Sequence, residues 1–119
     1  MSFESDLKLA LEEVCPNVFP DVAPFRAPRP YIVWQVIGGE SLRYGDGGAP
    51  DKRNALTQIS VWSDSRLQST EIIHQIEEIL CAHEQFTTDP QGEAMSVSDG
   101  EDSAKLYGSI QRFSIWADR

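Results

Sequence analysis

QISVWSD at 58–64 and RFSIWAD at 112–118 nearly repeat each other, with a serine, a branched aliphatic, a tryptophan, a small residue and an aspartate in the same order. Successive side chains of a strand point to opposite faces, and both segments read as strands on that pattern. In the first, Ile59 and Val61 share one face while Gln58, Ser60 and Trp62 share the other. In the second, Phe113, Ile115 and Ala117 oppose Arg112, Ser114 and Trp116. The aliphatic face is expected to meet helices, and the serine–tryptophan face to look away from them. Flanking residues do not repeat, so this is one constraint met twice rather than an internal duplication. Two readings stay open for the outward Trp62 and Trp116. A strap or loop of the same chain covers them, because an uncovered large aromatic is unfavourable in a monomer. Alternatively they dock another protein, since aromatics are enriched at interfaces.

Working outward, Tyr31–Ile37 is β-rich and apolar on both faces, so a strand covered on both sides is expected. The segment GGESLRYGDGGAPDKRN, 38–54, with four of its glycines at 39, 45, 47 and 48, reads as a long, mobile excursion. Ser41–Tyr44 extends a strand on this reading, and Leu56–Trp62 returns as the second strand of a hairpin. Before it, Phe3, Leu7, Ala10, Leu11 and Val14 fall at helical spacing, with Ser2 or Ser5 as cap and Pro16 as stop. Prolines at 16, 20, 24, 28 and 30 make 16–30 an irregular strap, with Val18, Phe19, Val22 and Phe25 expected to pin it to the core.

Ser65 and Gln68 have capping-box spacing, and Leu67, Ile72, Ile73, Ile76, Ile79 and Leu80 form the apolar stripe of a second helix ending near His83. Asp89, Pro90 and Gly92 read as a turn, Met95 and Val97 as a short strand, and 99–102 as another turn. Lys105–Ala117 reads as a long final strand with Gly108 as a bulge. The expected architecture is one α+β domain over 1–119, in the order α-β-β-α-β-β. It has a single antiparallel sheet of about four strands and two helices packed on one face.

The net charge of −9 argues against sequence-independent nucleic-acid binding, which needs a basic face. Charge is unevenly spread: residues 26–53 carry a net +2 and residues 64–102 a net −9. Such an asymmetry describes two differently solvated faces, and it also suits self-association of opposite patches. No apolar run approaches a membrane span of about 18 residues. The acids of MSFESDLKLALEEV are unlike a secretory signal, so the chain is expected to stay where it is made. Cys15 and Cys81 have no paired spacing and read as free, partly buried thiols.

Little chemistry is visible. His74, Cys81 and His83 lie on one helix but give too few ligands for zinc. Asp99, Glu101 and Asp102 lack the twelve-residue calcium-loop pattern, and GDGGAPDKR lacks the order of a phosphate-binding loop. With no nucleophile signature either, no catalytic, cofactor or metal residues are assigned, and the chain is read as no enzyme.

The succession VFPDVAP, PRPYIVWQVIGGESLRYGDGG, NALTQISVW, an apolar helix and LYGSIQRFSIW resembles the small tail-completion proteins of tailed bacteriophages and prophages. The resemblance covers nearly the whole chain and implies a structural protein. Relatives act as tail terminators or head–tail joining components and form rings, often hexameric, at the end of the tail tube. It implies as partners other copies of the chain and tail-tube or head-connector proteins; no sequence-specific nucleic acid and no membrane are expected as partners. It implies as location the virion tail, or the host cytoplasm on expression from a prophage. The alternative is a small cytoplasmic adaptor or ligand-binding module without catalysis. Candidate interface residues are the basic Arg43, Lys52 and Arg53 and the outward Trp62 and Trp116.

Overall fold

The computed structural model describes residues 2–40, 52–100 and 105–118. Helix α1 (Phe3–Glu12) starts at Ser2, whose hydroxyl accepts from the Ser5 amide at 3.2 Å and satisfies one orphan donor of the first turn. Strand β1 (Val18–Pro20) follows within the proline strap, then β2 (Tyr31–Gly38) and β3 (Lys52–Ser63). Helix α2 (Arg66–Ala82) is capped by Ser65, which accepts from the Gln68 amide at 3.1 Å. Strands β4 (Phe86–Pro90), β5 (Met95–Asp99) and β6 (Leu106–Asp118) complete the described chain.

The expected four-stranded antiparallel sheet is corrected. Six strands form one mixed sheet in the order β1-β2-β3-β6-β4, with β5 also paired to β6. Two segments account for the difference. Val18–Pro20 leaves the strap to run parallel to β2, with Val18 opposite Ile32. Phe86–Pro90 is a strand rather than part of a turn, running antiparallel to β6. Both strands carry their proline at the last position and lie at a sheet edge, where the missing N–H costs no ladder bond. The thirteen residues of β6 are long enough to hold β4 and β5 end to end along one side, with Gln91 donating to the Arg112 carbonyl at 2.8 Å between them.

Other expectations shift as well. Gly108 is not a bulge: β6 runs through it in continuous register with both Trp62 and Val97. The irregularity lies instead between Val36 and Gly38. The excursion is shorter than 38–54, because Lys52, Arg53 and Asn54 are already in β3. Its remaining residues, 41–51, including Arg43 and the Ser41–Tyr44 extension, lie outside the described residues. The same holds for 101–104 of the second turn.

The alternation read from the two repeated segments is the one the sheet uses. Ile32, Ile59, Val61, Phe113 and Ile115 are buried with Leu7 and Leu11 of α1 and Ile72, Ile73, Ile76 and Leu80 of α2 in one core. Burial of each such side chain contributes roughly 1.5–3 kcal/mol. Trp34 belongs to this core face, which separates it from the other two tryptophans. Polar groups fasten the helix layer. Ser69 Oγ donates to the Tyr107 carbonyl at 2.6 Å, and the Arg66 guanidinium donates to the carbonyls of Gly108 at 2.6 Å and Val97 at 2.7 Å. The first turn of α2 is thereby clamped to the β5–β6 pair.

Candidate functional site

Among the described residues, no helix covers the second face of the sheet, built from Phe19, Tyr31, Val33, Gln58, Ser60, Trp62, Ile110, Arg112, Ser114 and Trp116. The strand period puts a residue of every neighbouring strand on this face in rows across the sheet. One row joins Tyr31, Trp62, Gly108 and Val97; the next joins Val33, Ser60, Ile110 and Met95. Tyr31, Trp62 and Trp116 are half-buried although no helix lies over them. The sheet supplies part of the cover: a Cβ placed on Gly108 would meet two Trp62 ring carbons at 2.8 Å. Trp62 therefore lies flat over the glycine rather than standing into solvent.

A groove of about 350 Å³ runs along the Trp62 end of this face. Its floor is Val33, Gln58, Ser60 and Trp62; its walls are Asp21, Val22 and Ala23 of the strap and Asp99 and Leu106 of the opposite hairpin. Two acidic residues thus line a groove whose floor includes Trp62. The Tyr31 phenol is held above its ordinary range by burial first, with Asp99 adding to the shift and Arg29 opposing it. Arg29 is itself paired with Asp64 at 2.6 Å.

The far end of the same face is organised by Asn54. Its side-chain oxygen accepts from the Glu40 amide at 2.8 Å, and its amide nitrogen donates to Ser114 Oγ at 2.9 Å. The chain leaving β2 is thereby tied to β3 and β6 at once. Gly39 is required there, because its φ is 144° and a Cβ would fall 2.5 Å from the Asn54 carbonyl oxygen.

The candidate interface residues divide between the two ends. Trp62 belongs to the groove. Trp116 is paired with Asn54, next to Arg53 and Lys52, about 30 Å away along a strand rising roughly 3.4 Å per residue. Lys52 and Arg53 are exposed strand residues rather than loop residues, and Lys52 pairs with Asp118 at 3.2 Å. Arg43 lies outside the described residues.

The strap departs from expectation in an informative way. Val18 is buried and Phe19 meets Tyr31 edge to face at 6.2 Å, but Val22 is 75% and Phe25 90% exposed. The base of the strap is anchored by polar contacts instead: Asn17 Nδ2 donates to the carbonyls of Pro28 and Pro30 at 3.3 and 3.1 Å, and the Cys15 thiol donates to Pro30 at 3.2 Å. Nothing in the composition of the strap distinguishes an anchored base from a projecting tip.

Elsewhere the titratable groups look structural. His83 stacks on Phe86 at 4.4 Å, and His74 is exposed. Cys15 is buried, whereas Cys81 is exposed rather than partly buried. Among the described residues, no three His, Cys, Asp or Glu side chains converge as a metal site, and no helix is long and apolar enough to cross a membrane. The open face offers shape, aromatic surface and charge, the means of binding.

Residues 5–118 match the family described as "Tail completion protein gp17". No curated protein matches the chain.

Proposed function

Since this chain belongs to the tail completion protein gp17 family and is thus a phage tail structural protein, we propose that it closes the tail by assembling as a ring at the end of the tail tube. The observation that carries this reading is the sheet face left without helices, with two half-buried tryptophans and a groove walled by carboxylates. Serine, glutamine and arginine share this face with the aromatics and keep it partly polar. That composition suits a subunit that must be soluble first and assembled later.

Ring closure needs a head-to-tail contact between two different patches of the same subunit. The basic end of β3, with Lys52 and Arg53 and with Arg43 beyond it in sequence, and the acidic span 64–102 supply patches of opposite sign. Charges of this kind tune association rate and register more than affinity. The remaining acid excess would repel DNA passing through the ring. The fold tolerates loss of the basic end, because the exposed Lys52–Asp118 pair contributes at most about 1 kcal/mol.

Complementation of a phage lacking this gene tests the proposal. Wild-type chain restores infectious particles, and the Lys52→Glu/Arg53→Glu chain folds normally but restores few. Normal titres from the double reversal remove the basic end from the mechanism. A wild-type chain that stays monomeric with its tail-tube partner at any salt concentration defeats the ring reading.

A further inference from the structure

The strap's tip is the most exposed apolar feature of the described residues, and it is built rather than loose. Phe25 is 90% exposed, and the Arg26 guanidinium sits over its ring at 5.3 Å. The Ala27 amide closes a turn onto the Pro24 carbonyl at 3.1 Å. Prolines 20, 24, 28 and 30 stiffen the strap, and Asn17 and Cys15 hold its base. An aromatic–cation pair is therefore presented outward with little conformational freedom left to lose on binding, which is where preorganised contacts gain affinity.

The groove beside Trp62 has the complementary chemistry: an aromatic and aliphatic floor of Val33 and Trp62, with Asp21 and Asp99 on opposite walls. Phe25 is too exposed to occupy the groove of its own chain. We propose that the Phe25–Arg26 tip of one copy inserts into the Trp62 groove of the next. The ring lies over the floor, and the guanidinium lies between the Asp21 and Asp99 carboxylates. The occupant is a second copy because knob and groove match in both apolar character and charge. The same contact also covers Val22, the other exposed apolar residue of the strap, which forms part of the groove wall. Phe25 and Arg26 line no part of the groove, so one copy can give its tip to one neighbour and receive the tip of another, a head-to-tail contact that propagates around a ring. This deepens the ring reading above and rests on it.

The test uses sedimentation velocity on the full chain, with circular dichroism to verify folding. Wild type assembles. Phe25→Ala/Arg26→Glu is folded and needs at least about tenfold more protein to assemble, as expected for loss of a central aromatic anchor with its charge. Ser60→Trp, which fills the groove, is defective to a similar degree; Gln58→Trp on the same floor replaces it if that chain does not fold. Mixed, the knob-deficient and groove-filled chains form one-to-one dimers and nothing larger, since each retains one working end. An unchanged ring in Phe25→Ala/Arg26→Glu overturns the knob while leaving the ring intact. Absence of the mixed dimer while both single defects hold overturns the pairing of knob with groove. A wild-type chain that is monomeric up to millimolar concentration overturns the pairing of knob with groove, and one that also stays monomeric with its tail-tube partner overturns the ring as well.

Discussion

Trp62 and Gly108 are cross-strand partners in which the glycine exists for the tryptophan. The two Cα atoms are paired between β3 and β6, and the indole occupies the space where a Cβ of residue 108 would be. On its other side the same position is hemmed by Val97 Cγ2, which a Cβ would approach to 2.9 Å. A glycine in a strand interior ordinarily weakens it by roughly 0.5–1 kcal/mol relative to alanine. Here that cost is outweighed by burial of one face of the indole.

Gly108→Ala is therefore expected to destabilise the fold, against the usual sign for glycine replacement in a strand. Overpacking of this kind costs about 1–3 kcal/mol. The measurement is chemical denaturation, with tryptophan fluorescence reporting a more solvated Trp62. In a Trp62→Ala background the cost should shrink to what the remaining approach to Val97 Cγ2 imposes. Equal destabilisation in both backgrounds would remove the indole as the cause.

Asn54 is expected to be the most costly polar residue of the open face to truncate. Asn54→Ala leaves the Glu40 amide and the Ser114 hydroxyl without their partner, a loss of about 1–3 kcal/mol. Asn54→Asp keeps the acceptor and loses the donor, so its effect should be smaller. Hydrogen exchange at Glu40 separates the two: fast in Asn54→Ala, protected in Asn54→Asp.

Alkaline pH should destabilise the chain through three groups. Burial raises the Cys15 and Cys81 thiols above their ordinary value of 9.0, with Glu77 and Asp89 adding to the second, and burial likewise raises Tyr31 above 10.0. In each the folded state favours the protonated form. The stability this contributes is fully present below the ordinary values and is lost as pH rises through the raised ones. The urea midpoint should accordingly fall as pH rises above the ordinary thiol value of 9.0, and Cys15→Ala should flatten the first part of that fall. At neutral pH a thiol reagent should label Cys81 well before Cys15, as their exposures differ. Equal labelling rates would contradict the buried position of Cys15.

Much of the core was legible because it follows from local rules. The period of two in QISVWSD and RFSIWAD separated Ile59, Val61, Phe113 and Ile115 from Trp62 and Trp116, and serines marked the helix starts, Ser65 for α2 and one of Ser2 or Ser5 for α1, where the structure uses Ser2. What escaped was non-local. Whether Val18–Pro20 or Phe86–Pro90 is strand or turn depends on an edge being free elsewhere to receive it, and a proline in each weighs against a strand locally. Gly108 looked like a bulge because its reason for being glycine lies 46 positions earlier in the chain, on Trp62. The groove was half visible: Trp62 was singled out, but the Asp21 and Asp99 walls and the projecting Phe25 depend on how the strap is held at its base.

Strand β6 holds β3 along one side and both β4 and β5 along the other, and it is the last of these to leave the ribosome. Until it emerges, β3 has its long inner edge unsatisfied, and β4 and β5 have no sheet to join. Exposed strand edges of this kind are where growing chains aggregate. The nascent protein is thus held back from adopting its sheet until synthesis has passed Asp118. Shielding of the β3 edge during that interval would govern the yield of usable subunits.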